Sequence, residues 1–150
     1  MTIGILKESP GENRVAMLPE SVATLVKMNV NLLVEAGAGL TSFASDKQYE
    51  EAGAKVQTKK DVISGADLLI RIQPPTDEEI ALMKAGQVIM SVLNPYFNGE
   101  LIRELAMRNI TAFSMDVVPR TTRAQAMDIL SSMATVAGYK AVLTAANSLP

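Results

Sequence analysis

Short apolar runs and amphipathic stretches alternate along this chain. Thr2–Leu6 is an apolar run that stops at Lys7-Glu8, the pattern of a buried strand. Pro19 is placed to start a helix reaching about Met28. Val30–Glu35 reads as a second strand, Asp46–Ala52 as a short helix, Lys55–Gln57 as a minor strand and Lys60–Ser64 as a helical turn. Asp67–Ile72 is a strand halted by Pro74-Pro75, and Thr76 with Glu79 has the form of a capping box opening a helix to Lys84. Gln87–Leu93 and Ile110–Met115 read as strands flanking a helix over Gly99–Arg108. Strands alternating with helices predict an α/β fold, a Rossmann-like or flavodoxin-like parallel sheet with helices on both faces.

After Pro119 the pattern changes. Pro119 disfavours helix at Val118, while Thr122 followed by Gln125 resembles a second capping box. From there to Asn147 the chain has no proline and a single glycine, Gly138. One long helix is expected, largely buried because most of its circumference is Ala, Met, Ile, Leu and Val. At about 100° per residue, Gln125, Asp128, Ser131, Ser132, Thr135 and Tyr139 share an arc of roughly 120°. The expected organisation is an α/β domain over residues 1–121 and a long helix over 122–150.

That polar stripe has two readings. Locally, Gln125 completes its cap, the hydroxyls bond back to the helix and Asp128 takes a neighbouring cation. Functionally, Arg120 and Arg123 at the helix entry suit an anionic ligand, with the stripe supplying hydrogen bonds to its sugar or amide.

Composition narrows the chemistry. A net charge of −2 gives no basic footprint, so nucleic acid is not expected as a partner. Zero cysteines exclude disulfides and thiolate nucleophiles, and zero histidines exclude a histidine base or a Ser-His-Asp triad within the chain. No metal is expected; binding and positioning remain. No segment holds about 18 consecutive apolar residues, and the strand pattern begins at the first residues, so a soluble piece without a leader is expected, reaching a membrane only through partners. At 150 residues, one ordinary domain is expected.

Ligands of parallel sheets gather at the carboxyl ends of strands. Arg71 at the end of the Asp67–Ile72 strand, and Arg14, Asn94 and the stretch Asp116–Arg120 after others, could share one rim, although a lone arginine is more often a solvated or ion-paired surface residue. Gly37-x-Gly39-x-x-Ser42 follows a strand but lacks a third glycine and a helix directly behind it, so a tight turn is expected there.

The segment PRTTRAQAMDILSSMATVAGYKAV (119–142) resembles the signature of the α subunit, the NAD(H)-binding domain, of proton-translocating NAD(P) transhydrogenases. IGILKESPGENRVAMLPESV, LVEAGAG, ADLLIRIQPP and RNITAFSMDVVPR extend the likeness over nearly the whole chain. The N-terminal motif is shared with the related alanine dehydrogenases; R-A-Q-x-x-D-x-x-S-S is more specific. The resemblance implies hydride transfer from NADH to NADP+ coupled to proton translocation. Arg120, Gln125, Asp128 and Ser131 would line the nicotinamide end of the NAD(H) site, with Gln125 and Asp128 closest to the chemistry. The backbone of Arg120, Thr121, Thr122 and Arg123 would run along the nucleotide. It further implies NADP(H) on a partner, membrane-embedded and NADP-binding subunits, a homodimer, and a cytoplasmic location at the inner membrane. In alanine dehydrogenases the positions matching Arg14 and Arg71 (lysine there) hold the substrate carboxylate, and a histidine acts near Asn94; that histidine is missing here. The family's Gly-rich nucleotide loop follows the long helix, so the 150 residues are expected to carry half of a cleft and no transhydrogenase activity alone. An alanine dehydrogenase-like oxidoreductase or a non-catalytic assembly module is the competing expectation.

Overall fold

A computed structural model describes residues 1–149. It divides into two compact units, Met1–Ser114 and the chain from Met115 onward. In the first, six strands form one sheet: β1 (Thr2–Ile5), β2 (Asn31–Glu35), β3 (Lys55–Gln57), β4 (Leu68–Ile70), β5 (Val88–Ser91) and β6 (Thr111–Ser114). All pair in parallel, in the order β3-β2-β1-β4-β5-β6. This is the Rossmann order rather than the flavodoxin one, and its direction of winding reverses between β1 and β4.

Five helices connect the strands: α1 (Pro19–Lys27), α2 (Asp46–Glu51), α3 (Lys59–Gly65), α4 (Asp77–Leu82) and α5 (Gly99–Met107). Pro19 occupies the first turn of α1, where its missing N–H costs nothing. Asn29, Gly53 and Asn109 adopt positive φ just beyond α1, α2 and α5, the left-handed turn that ends helices. The Thr76 hydroxyl accepts from the Glu79 N–H at 3.3 Å while Glu79 accepts from the Thr76 N–H at 2.8 Å, closing the expected capping box of α4.

The apolar core lies in two layers. Ile3, Ile5, Val22, Leu32, Val34 and Tyr49 pack on the α1–α2 face. Leu33, Val62, Ile63, Leu69, Ile80, Ile89 and Leu105 pack on the α3–α5 face. Gly4 in β1 permits this close layering, because a Cβ there would sit within 2.8–2.9 Å of Leu69, Ala66 and Val62.

The second unit departs from expectation. Its helix α6 spans Ile129–Ser148, so it starts well after Thr122. Gln125–Met127 form a separate 3-10 turn, and the capping box of Thr122 with Gln125 does not form. Asp128 ends the turn and caps α6 instead; a carboxylate that reaches two helix N–H groups outcompetes the weaker threonine cap. No residue of α6 is buried, contrary to the expectation of a covered helix. Ser132, Thr135, Thr144 and Ser148 donate their hydroxyls to carbonyls one turn back, so their polarity is spent on the helix itself. By length and composition α6 is the one described helix that could cross a membrane.

Candidate functional site

In the first unit the carboxyl ends of β1 and β4 mark the reversal point where Rossmann sheets open a ligand crevice. Here the chain's own ion pairs fill it. Glu8, just beyond β1, accepts the backbone N–H groups of Ile72 and Gln73 at 2.5 and 3.0 Å. Arg71, just beyond β4, is fully buried and pairs with Glu79 and, at 3.6 Å, with Glu8. Lys59 adds a bond to Glu79 at 2.9 Å and lies 3.9 Å from Glu35. Burial pushes the Glu79 carboxyl up, but the Thr76 N–H, the Lys59 bond and the charges of Arg71 and Lys59 outweigh it, leaving its pKa below the usual value. Both Nη groups of Arg71 are taken up by these carboxylates and Ser9, while its buried Nε–H has no hydrogen-bond partner among the described residues.

Arg14 is paired too. Its Nε and Nη2 donate to the two oxygens of Glu12 at 2.8 and 2.6 Å. These side-chain bonds hold the Glu12 carboxyl down at about 2. Asn94 takes a positive φ of 50° immediately before Pro95, an unusual conformation for a residue preceding proline. The Gly37 segment is a tight turn as expected: Gly37 has φ of 75° and donates its N–H to Asp46 at 2.8 Å, so this donor is already satisfied.

The second unit carries every residue of the R-A-Q-x-x-D-x-x-S-S motif. Pro119 to Asp128 descends through successive backbone turns, Thr121 N–H to Pro119, Ala124 to Thr121, Met127 to Ala124 and Asp128 to Gln125. These turns leave Arg120, Thr121, Thr122, Arg123 and Gln125 exposed. Asp128 is little exposed and accepts from the Leu130 and Ser131 N–H groups at 3.0 and 3.1 Å, and from the Ser131 hydroxyl at 2.6 Å. The Ser131 bonds lower the Asp128 pKa, with a smaller contribution from the charge of Arg120, so the group is a carboxylate at neutral pH.

Asp128 and Ser131 are thus brought together directly, and the charge of Arg120 adds a minor stabilisation of the Asp128 carboxylate. Gln125 is not on the helical stripe; it stands on the preceding turn, with no side-chain hydrogen bond among the described residues. The helix N-terminus is occupied by Asp128, which disqualifies it as a phosphate seat. What remains open is a set of two guanidiniums, two hydroxyls and a carboxamide on exposed turns, hydrogen-bonding groups that suit an anionic or amide-bearing ligand. Sequence reasoning missed Glu8 as the partner of Arg71, and it saw Glu79 solely as a cap. The Lys7-Glu8 step at a strand end was the available signal.

Residues 4–137 match the family described as "Alanine dehydrogenase/PNT, N-terminal domain". NAD(P) transhydrogenase subunit alpha of Haemophilus influenzae is 40% identical over 148 residues, covering 98% of this chain and 29% of that protein. The crystal structure of transhydrogenase from Sinorhizobium meliloti matches with a TM-score of 0.92 at 43% identity, over 98% of this chain and 44% of that one. A solved L-alanine dehydrogenase matches at a TM-score of 0.77 and 31% identity, over 82% of this chain and 34% of that one. The chain therefore spans less than half the length of each of these relatives.

Proposed function

The chain belongs to the alanine dehydrogenase/PNT N-terminal domain family, and on that premise we propose that it forms the N-terminal part of the NAD(H)-binding α component of a proton-translocating NAD(P) transhydrogenase. The observation that carries this is a match to transhydrogenases at 40–43% identity over 98% of the chain. The segment from residue 122 then leads into a second, nucleotide-binding domain of the complete protein. NADP(H) sits on a partner, and the assembly is a homodimer joined to membrane-embedded subunits at the cytoplasmic side of the inner membrane.

When bound, NADH supplies the hydride; the residues described here bind and orient it. Arg120 donates charge-assisted hydrogen bonds to the anionic or carboxamide groups of the nucleotide. The backbone from Arg120 through Thr121, Thr122 and Arg123 follows it. Gln125, with a free donor and acceptor, fixes the plane of the nicotinamide amide. Asp128 keeps one oxygen with a single bond, from the Ser131 hydroxyl, and so retains acceptor capacity for a ribose hydroxyl. Its preorganisation by Ser131 and the helix N–H groups holds that oxygen in place. The alanine dehydrogenase-like reading is less well supported: identity drops to 31%, the chain has no histidine, and Arg71 is locked by Glu8 and Glu79.

Arg120→Ala in the complete protein tests the nucleotide contact. A hydrogen bond from a charged donor is worth about 1.5–3 kcal/mol, so NADH affinity should fall about ten- to a hundredfold. Calorimetric titration with unchanged affinity would return Arg120 to an ordinary surface residue.

A further inference from the structure

The sheet of the first unit has a second opening, at the end opposite its ion-paired rim. β2 begins at Asn31, whereas its pairing with β3 begins only at Leu33, opposite Lys55. This leaves a notch at the corner of the sheet. The end of α1 and the turn at Gly53 flank the notch and bound a hollow of about 620 Å³. Small-molecule sites span about 300–1,000 Å³, so the size suits one. A backbone donor is left over inside it. Asn31 donates its N–H to Met1, so the N–H of the next residue, Leu32, points the other way, toward β3. A bond from Leu32 to the Gly53 carbonyl would pair Leu32 with Ala54, and the register holds no such pair. Leu32 is 2% exposed, and a buried N–H is nearly always paired with protein, water or a ligand.

The side chains around this donor are also uncommitted. Strand alternation and register set Asn31 and Leu33 of β2 on the same face as Lys55 and Gln57 of β3. Asn29, Asn31, Lys55 and Gln57 line the hollow, and their side chains make no hydrogen bond or ion pair among the described residues. Lys55 is the single charged residue of the lining, so no carboxylate there neutralises it. Val26, Val30 and Leu33 add apolar wall. An ammonium and a buried N–H bond most strongly to an ionised acceptor. We propose that the hollow at the amino ends of β1, β2 and β3 binds a small organic anion, with its carboxylate or phosphate held by Lys55 and the Leu32 N–H and its apolar body against Val26, Val30 and Leu33. This site goes beyond the nucleotide reading and rests on no role of Arg120 to Ser131.

Benzoate is the probe, with benzamide as its neutral counterpart and phenyl phosphate as the phosphate arm. In amide-resolved NMR titrations of the 150-residue chain, benzoate should shift the signals of Leu32, Gly53 and Lys55 saturably, and benzamide should not. Lys55→Met, at an exposed position, should weaken binding about tenfold or more, the loss expected for one charge-assisted hydrogen bond. Asn31→Asp, which sets a negative charge on the same face, should abolish it. Tighter binding of phenyl phosphate would identify the ligand as a phosphate ester, and tighter binding of benzoate as a carboxylate. The proposal is overturned by the absence of saturable shifts at these residues with either anion, by equal binding of benzamide, or by unchanged affinity in either variant.

Discussion

Arg71→Met tests the claim that the reversal point of the sheet is closed by internal ion pairs. The side chain of Arg71 is 0% exposed and those of Glu8 and Glu79 are 2% and 3% exposed, so solvent screens none of these charges appreciably. Breaking a buried pair by removing one partner costs about 3–5 kcal/mol, because the other charge stays behind. Here Glu79 keeps Lys59 and the Thr76 N–H, and Glu8 keeps two backbone N–H groups, so the lower end applies, about 3 kcal/mol. With a urea dependence of about 2 kcal/mol per molar, the unfolding midpoint should drop by about 1.5 M. The loss should also depend on pH. Glu79 has a depressed pKa in the fold, so its contribution is present above the unfolded value of about 4.3 and is lost as pH falls through the lower folded value. Removing Arg71 weakens that depression, so the gap between wild type and variant should narrow in acid. A loss below about 1 kcal/mol, or a gap independent of pH, would refute the reasoning.

Three further outcomes follow from single contacts. Glu12 should titrate at about 2 by NMR, and Arg14→Met should return it toward 4.5. Gly4→Ala should cost about 1–3 kcal/mol in a urea melt, since its Cβ meets three packed side chains at once. Thr76→Ala should cost about 1 kcal/mol by removing the cap of α4, read in the same melt.

The strand–helix alternation was legible because each element carries its own signal: Pro19 starts a helix, Pro74-Pro75 stops a strand, and the Thr76–Glu79 box opens α4. Strand order was not legible, because adjacency of β1 and β4 is set by long-range pairing that no local pattern encodes. The start of α6 was misread because two caps compete within seven residues, Thr122 with Gln125 and Asp128 with Ser131, and spacing alone ranks neither. The side-chain bonds rank them: the Asp128 carboxylate accepts two N–H groups and a hydroxyl. The lock on Arg71 was hidden for a related reason. Its partners lie on the segments after β1 and at the start of α4, and only the closed sheet brings them together.

The central claim is that Gln125 faces the nicotinamide. The structure sharpens its test, because Gln125 is exposed on a turn and caps nothing, so Gln125→Ala should leave stability unchanged. Misplacing a reacting group by about 1 Å can cost about a hundredfold in rate. The measurement is the rate of hydride transfer from NADH to NADP+ by the complete Gln125→Ala protein, assembled with its partners, beside its thermal melt. An unchanged melt with transfer slowed about a hundredfold is expected. Transfer at the wild-type rate would contradict the account.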